Sequence, residues 1–294
     1  MDAWDGDLPP SREDLLERAR DAEGLLCLLT DQIDAELFDH CPDLRAVANL
    51  AVGTDNIDLE EAARRGIAVG NTPGVLTETT ADLAFALILA CSRGLLQAAA
   101  AVRAGEWRTW EPAGWLGHDV HGATLGIVGA GQIGKAVARR AQGFGMRVLL
   151  NGSAPAPDRV SLEELLTESD IVSLHAPLSA ETRHLIDADA MRSMKPTAVL
   201  VNTGRGELVD PKALRRALEE GWIAAAGLDV TEPEPLPRDD PLLSAPNLTV
   251  LPHIGSASHA AREAMAGLAV DNLLAALAGR PMPHPVGVPA AGRG

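Results

Sequence analysis

At 294 residues, with 46% of them hydrophobic, the chain is long enough for one large or two ordinary domains with real cores. Its 41 acidic against 25 basic residues give a formal charge of −16, and no block of Lys or Arg breaks that balance, which argues against nucleic acid and membrane partners. Met1-Asp2-Ala3-Trp4-Asp5-Gly6-Asp7 is acidic where a signal peptide is basic and then apolar, and no segment holds ~18 uninterrupted apolar residues, so a cytoplasmic location is expected.

In chain order, the first element is a helix introduced by Pro10-Ser11, with Ser11 as its N-cap and Glu13-Asp14 in the first turn. Short apolar runs then predict strands at 25–29, 46–50 and 67–70. A mostly apolar helical stretch spans 77–96, followed by a loop that carries Trp107 and Trp110. A second group of strands is expected at 125–128, 147–150, 171–174, 198–201, 224–228 and 248–251. The last helical pattern, 257–278, has no sheet of its own to join. Returning it to the first group predicts two doubly wound α/β parallel-sheet domains, one of residues 1–95 with 257–294 and the other of 96–256 inserted in it. The three cysteines, Cys27, Cys41 and Cys91, lack metal-ligand spacing and read as buried thiols, and no other cluster calls for a metal.

The strand at 125–128 runs into Gly129-Ala130-Gly131-Gln132-Ile133-Gly134 and then a helical pattern. Gly129 allows the tight turn, Gly131 lets backbone N–H groups approach a pyrophosphate, and Gly134 lets helix and strand pack closely, which is the arrangement a dinucleotide needs. The end of the next strand, where NAD binders carry an acid for the adenosine ribose, reads Asn151-Gly152-Ser153 instead. Without a carboxylate to repel a 2′-phosphate, NADP is permitted and NAD remains possible; Arg147 and Arg159 are the basic residues nearest in sequence.

Three further segments start just after strands: Asn202-Thr203-Gly204-Arg205-Gly206, Asp229-Val230-Thr231-Glu232-Pro233-Glu234-Pro235 and Pro252-His253-Ile254-Gly255-Ser256. They offer a guanidinium, a carboxylate and an imidazole at converging strand ends. Reducing a 2-oxo acid needs those types: a fork of donors for carbonyl and carboxylate, an acid to protonate the new alkoxide, and an anion to keep that acid charged.

With Thr72-Pro73-Gly74-Val75-Leu76-Thr77-Glu78-Thr79-Thr80-Ala81-Asp82 added to these motifs, the chain resembles the D-isomer-specific 2-hydroxyacid dehydrogenases, most of all the glyoxylate/hydroxypyruvate reductases, from about residue 25 to 286. The resemblance implies a Rossmann dinucleotide domain inserted in a flavodoxin-like substrate domain. It implies that Arg205 holds the substrate, that His253 donates the proton and that Glu234, the second acid of its run, pairs with His253. Val52 and Gly53 would bind the substrate carboxylate through their backbone, with Ser256 beside the substrate. Asp229 would meet the nicotinamide, while Pro177 and Thr203 would line the cofactor. Thr80, Gln132, Ile133, Asn151, Gly152, Ser153 and Gly255 complete the expected cofactor contacts. Glu232 reads as a solvated neighbour, and His175 as a structural or supporting histidine.

Two other functions compete. A phosphoglycerate-type dehydrogenase would want basic residues around Val52–Asp55 positions, which Ala51, Thr54 and Asn56 do not supply. A dinucleotide-sensing scaffold for partner proteins would have no need of Arg205, Glu234 and His253 together. The Trp107–Trp110 loop, polar around two large rings, suggests a homodimer in which it reaches the partner. Finally, a domain of this kind should open with a strand and helix ahead of the Ser11 helix. Met1 is therefore expected to lie inside the natural reading frame, with roughly thirty residues, one βα unit, upstream and the substrate domain lacking its first strand.

Overall fold

The structure is a computed structural model that describes residues 1–152 and 156–287. Met1–Leu76 and the stretch from Ser258 onward form one unit, and Thr77–Ala257 a second.

The first unit begins with α1 (Arg12–Ala19), capped as expected by Ser11, whose Oγ accepts the Asp14 N–H. Then follow β1 (Gly24–Cys27), α2 (Ala35–His40), β2 (Ala46–Asn49), α3 (Leu59–Arg64) and β3 (Ala68–Gly70). The strands pair in parallel in the order β1-β2-β3. Alternation along the strands divides their side chains between two faces. Cys27, Val47 and Val69 join Leu37, Phe38 and Ala62 of the neighbouring helices in one core. The other face carries Gly24, Ala46, Ala48, Ala68 and Gly70 beside Leu26, and any Cβ at Gly24 or Gly70 would stand within 3.0 Å of Leu273 or of Asn272 and Met282, so a helix from the chain's far end lies close against it.

The chain enters the second unit through α4 (Thr77–Arg93), where the helical stretch expected at 77–96 is broken. Gly94 adopts φ 57°, a left-handed conformation that glycine takes at little cost, and α5 (Leu95–Arg103) leaves at an angle of 64°. The boundary between units also falls earlier than the expected 95, between Leu76 and Thr77. The cause is α4's apolar surface: Ala81, Ala84, Phe85, Leu87 and Ile88 are buried with Leu125, Ile127, Val199 and Val201 of the larger sheet. Its polar edge holds Glu78 and Asp82 against Arg139 and Arg140.

Alternating strands and helices follow: β4 (Thr124–Val128), α6 (Gln132–Gly143), β5 (Arg147–Asn151), α7 (Leu162–Glu168), β6 (Ile171–Leu174), α8 (Ala188–Ser193), β7 (Val199–Asn202), α9 (Pro211–Glu219), β8 (Ala225–Leu228) and β9 (Leu248–Val250). All six strands are parallel in the order β5-β4-β6-β7-β8-β9. This is the doubly wound order, and its direction reverses beside β4, so the loops after β4 and β6 diverge and open a crevice at the carboxyl ends. All nine expected strands form, with ends displaced by a residue or two where capping and turn geometry end the pairing. The chain then returns to the first unit as α10 (His259–Leu277), capped by Ser258, which covers the small-residue face of β1-β2-β3. Among the described residues no single helix is long and apolar enough to cross a membrane.

Candidate active site

The glycine turn after β4 has the geometry its spacing requires. Gly129 sits at φ 97°, and a Cβ there would fall 2.4–2.6 Å from the backbone of His175 and Ala176. A Cβ at Gly134 would collide with the Gly129 carbonyl at 2.2 Å, so this glycine is what lets α6 start so close to β4. At Gly131 a Cβ would meet nothing within 4 Å, which leaves an open approach to the backbone. Gly131 also caps α6 without a side chain, so no N-cap side chain occupies the N–H groups of the first turn, Gln132 and Ile133 among them. An open cradle of uncapped N–H groups at the positive end of a helix fits a pyrophosphate.

At the end of β5, Asn151 turns its side chain inward to the Val160 carbonyl at 3.0 Å and its own carbonyl receives the Gly129 N–H at 2.9 Å. Arg159 joins the edge of β5 by an isolated parallel bridge to Leu150. Its Nη1 stands 2.5 Å from where a Cβ on Gly152 would be, and its Nε is buried without a hydrogen-bond partner. Of the two arginines nearest in sequence, Arg147 is instead paired with Glu168 at 2.7 Å. Ser153 lies outside the described residues.

His175, after β6, is held by two hydroxyls: Nε2 lies 2.9 Å from Ser173 Oγ and Nδ1 3.2 Å from Thr203 Oγ1. Burial pushes its pKa down to about 4, so the ring is neutral at neutral pH and acts as a strut between the ends of β6 and β7. The exposed Pro177 follows, its carbonyl accepting from Thr182 Oγ1 at 2.8 Å.

The catalytic candidates come from the next three strand ends. Asn202, fully buried at the end of β7, accepts the Gly204 N–H and donates to the Arg205 carbonyl at 2.7 Å, shaping the loop that presents Arg205. After β8, Asp229 is 1% exposed and gives both carboxylate oxygens to backbone N–H groups, Ile254 at 2.8 Å and Gly255 at 2.7 Å. Burial raises its pKa against the pull of those N–H groups. Expected at the nicotinamide, Asp229 therefore spends its oxygens on the turn that carries His253. That residue needs the support, because it sits at φ 53°, a left-handed conformation costly for a non-glycine residue. Gly255 is buried, and a Cβ on it would stand 3.0 Å from Asp229 Oδ2 and 3.4 Å from the buried Thr80 of α4. Ser256 follows, partly exposed.

His253 Nδ1 meets Glu234 Oε1 at 2.5 Å. Burial opposes ionisation of Glu234, but the bond to His253, its charge, the Thr231 N–H and the charge of Arg205 outweigh burial and hold the carboxyl below its usual range. A carboxylate orienting one imidazole nitrogen frees the other to exchange a proton with a ligand. The expected Arg205, Glu234 and His253 thus come together within one unit. Glu232 departs from its reading as a solvated neighbour, since its carboxylate is bound to Arg183 and to His184 at 2.6 Å. Neither partner carries a sequence signal, because each lies far along the chain from Glu232.

These features match known proteins. The family model described as D-isomer specific 2-hydroxyacid dehydrogenase, NAD binding domain, matches residues 85–255. A glyoxylate reductase from Korarchaeum cryptofilum is 55% identical over 284 residues, covering 94% of this chain and 86% of the relative. The chain belongs to the D-isomer specific 2-hydroxyacid dehydrogenases. Among solved structures, the TT0316 protein of Thermus thermophilus superposes with a TM-score of 0.90 at 51% identity, covering 95% of this chain and 90% of that one. An NADPH-dependent glyoxylate/hydroxypyruvate reductase from Sinorhizobium meliloti, in complex with NADP and malonate, does so at 0.83 and 38%, covering 92% and 85%.

The loop expected to bind the substrate carboxylate lies in the first unit after β2. Asn71 Nδ2 donates to the Val52 carbonyl and Asn49 Nδ2 to that of Gly53, both at 2.8 Å. Both carbonyls are thereby engaged within the first unit. Asn71 is in turn held by the buried Asn272 of α10, which donates to its carbonyl at 2.8 Å.

The neutral His175 has a consequence for stability. Its folded pKa, about 4, lies below the ~6.5 of an unfolded histidine, so between these values the unfolded chain binds more protons. Its contribution is fully present above pH ~6.5 and is lost as pH falls toward 4; because the residue as a whole is only partly buried, it amounts to about 1–2 kcal/mol. Denaturant unfolding across pH 4 to 7 should therefore show a shallower slope for His175→Gln than for the wild type, and parallel curves would contradict the assignment.

Proposed function

We propose that the chain reduces a short 2-oxo acid of the glyoxylate or hydroxypyruvate type to the D-2-hydroxy acid, with Arg205, Glu234 and His253 as the catalytic residues. The observation that carries this reading is the His253–Glu234 pair at 2.5 Å, with Arg205 close enough to act on the same carboxylate. A nicotinamide dinucleotide bound at the glycine turn supplies the hydride. As C2 is reduced, negative charge grows on the carbonyl oxygen, and the guanidinium of Arg205 offers the donors that stabilise it. His253 passes its proton from Nε2 to that oxygen, while Glu234 holds Nδ1 and balances the imidazolium charge. Val52 and Gly53 offer N–H groups to the substrate carboxylate, and Ser256 adds a hydroxyl. Thr80, Pro177, Thr203 and Gly255 belong to the cofactor's surroundings, with Asp229 fixing the turn beside it. A pure binding scaffold has no use for this relay. With glyoxylate and NADPH, His253→Ala should lower kcat by ~10²–10⁴-fold with a small change in KM, because proton transfer matters mainly in the transition state. Near-wild-type turnover in that variant would refute the assignment.

For the cofactor we infer a preference for NADP(H). Arg159 supports it: its Nη1 stands over Gly152, where NAD binders carry an acid, and among the described residues its buried Nε has no hydrogen-bond partner. Gly152→Asp would set a carboxylate against Arg159 and repel a 2′-phosphate, and Arg159→Gln would remove the attraction. Both should lower the ratio of kcat/KM for NADPH to that for NADH by about tenfold or more. A wild-type preference for NADH above about tenfold, ~1.4 kcal/mol, would sink the idea.

The assembly we infer is a homodimer. Trp107, Trp110, Trp115 and Leu116 are all more than half exposed, as are Leu95 and Val102 of α5, so the loop does not bury its rings within its own subunit. An apolar patch of this kind fits a second copy of the chain. Light scattering should give a dimer at assay concentration, and Trp107→Ser with Trp110→Ser should weaken it; a wild-type monomer would rule it out.

A further inference from the structure

We propose that Glu232 is a positioning residue: by bridging Arg183 and His184 it fixes both the turn that carries Glu234 and the loop that carries Arg205. The inference rests on the catalytic reading above and extends it to a group that touches no substrate.

Both oxygens of Glu232 are engaged, Oε1 by Arg183 and Oε2 by His184 Nε2 at 2.6 Å, and the side chain is only a quarter exposed. Burial opposes its ionisation, but these two partners outweigh it and keep the carboxyl below its usual range. The partners are themselves anchored. The His184 N–H donates to the Glu207 carbonyl at 2.7 Å, Ile186 N–H to Leu208 at 3.0 Å, and Asp210 N–H to Ile186 at 3.1 Å, so residues 184–186 are zipped onto the segment that follows Arg205. His184 holds φ 51° in doing so, a conformation that costs a non-glycine residue ~1 kcal/mol or more and persists only where its surroundings demand it.

The two catalytic loops also touch directly. A Cβ on Gly206 would lie 2.0 Å from the Thr231 carbonyl oxygen, so the backbone after Arg205 packs against the peptide that begins the Glu232 turn. Within that turn, the Thr231 N–H donates to Glu234 Oε2 at 3.3 Å and Thr231 Oγ1 to the Pro233 carbonyl at 2.8 Å. Glu232 and Glu234 therefore leave one short turn in two directions: Glu232 to the 183–186 segment, Glu234 to His253. A pair with charge-assisted bonds at partial burial resists displacement better than an exposed ion pair. Released from it, the turn would keep Glu234 but lose the register that sets its oxygen 2.5 Å from His253.

The test is steady-state kinetics with glyoxylate and NADPH across pH, on Glu232→Ala, Glu232→Gln, Glu234→Gln and the double variant Glu232→Ala/Glu234→Gln. Glu232→Ala should lower kcat by ~10-fold or more, leave KM for NADPH within about twofold, and move the alkaline limb of the kcat/KM profile to lower pH, as expected when the carboxylate partner is less well placed. Glu232→Gln, which keeps one acceptor, should fall between. The double variant should be no slower than Glu234→Gln alone, because both changes act on the same contact. Arg183→Ala removes one arm at an exposed residue and should move the profile in the same direction by less; it stands in if Glu232→Ala does not fold. An unshifted profile with kcat within twofold in Glu232→Ala, or losses that multiply in the double variant, would overturn the proposal while leaving the relay intact. Wild-type behaviour in Glu234→Gln would instead overturn the relay and this inference with it.

Discussion

The site depends on one buried carboxylate. Asp229 leaves the end of β8 with 1% exposure and takes the N–H groups of Ile254 and Gly255 on its two oxygens, while its own carbonyl receives the His253 N–H at 2.9 Å. A buried carboxylate without donors would be costly, so burial itself drives the two strand-end loops together. That closure holds His253 in a conformation it would not adopt alone and aims its ring at Glu234. Breaking any one of these bonds would expose the others to the same penalty, which is why the turn behaves as a unit.

The charge of the whole chain opposes what the site must bind. A net charge of −16 disfavours an anionic substrate and a dinucleotide at long range, although salt screens the field beyond a Debye length of about 8–10 Å. On the reading proposed above, recognition falls to short-range donors such as the uncapped first turn of α6 and the guanidinium of Arg205. Most of the other arginines in the described residues are neutralised by acids, as in the Arg139 and Arg140 pairs with Glu78 and Asp82 or the Arg215–Glu219 pair. Such pairs add little to stability, but they leave few cations to compete for the substrate.

The acids of the Thr231–Pro235 turn illustrate how one short segment serves two ends. Glu234 faces the histidine and Glu232 faces the neighbouring loop, so the chemistry and its mounting are encoded side by side. In the first unit the same division appears among amides: Asn49 and Asn71 orient the Val52–Gly53 peptides, and Asn272, from the far end of the chain, orients Asn71.

Much of this was legible in the residues themselves. Strands read from apolar runs formed where expected, because a strand buried on both faces must be mostly apolar, as β2, β6 and β7 are with one polar residue each. The glycine turn was legible because no side chain fits at Gly129 or Gly134, and such exclusions are local. Arg205, Glu234 and His253 could be picked out as candidates from their place after strand ends together with the family resemblance. What the sequence did not reveal came from partners far apart along the chain. The allegiance of α4 was decided by which sheet its apolar faces meet, and periodicity names a face without naming its neighbour. The sequence offered Asp229 as a cofactor contact but gave no sign that its oxygens also take the Ile254 and Gly255 N–H groups. Glu232 looked idle for the same reason, since Arg183 and His184 lie far from it along the chain. Sequence by itself determined which residue types stood at each strand end; only the tertiary structure decided which of them touch, because pairing depends on loops whose closure no local pattern encodes.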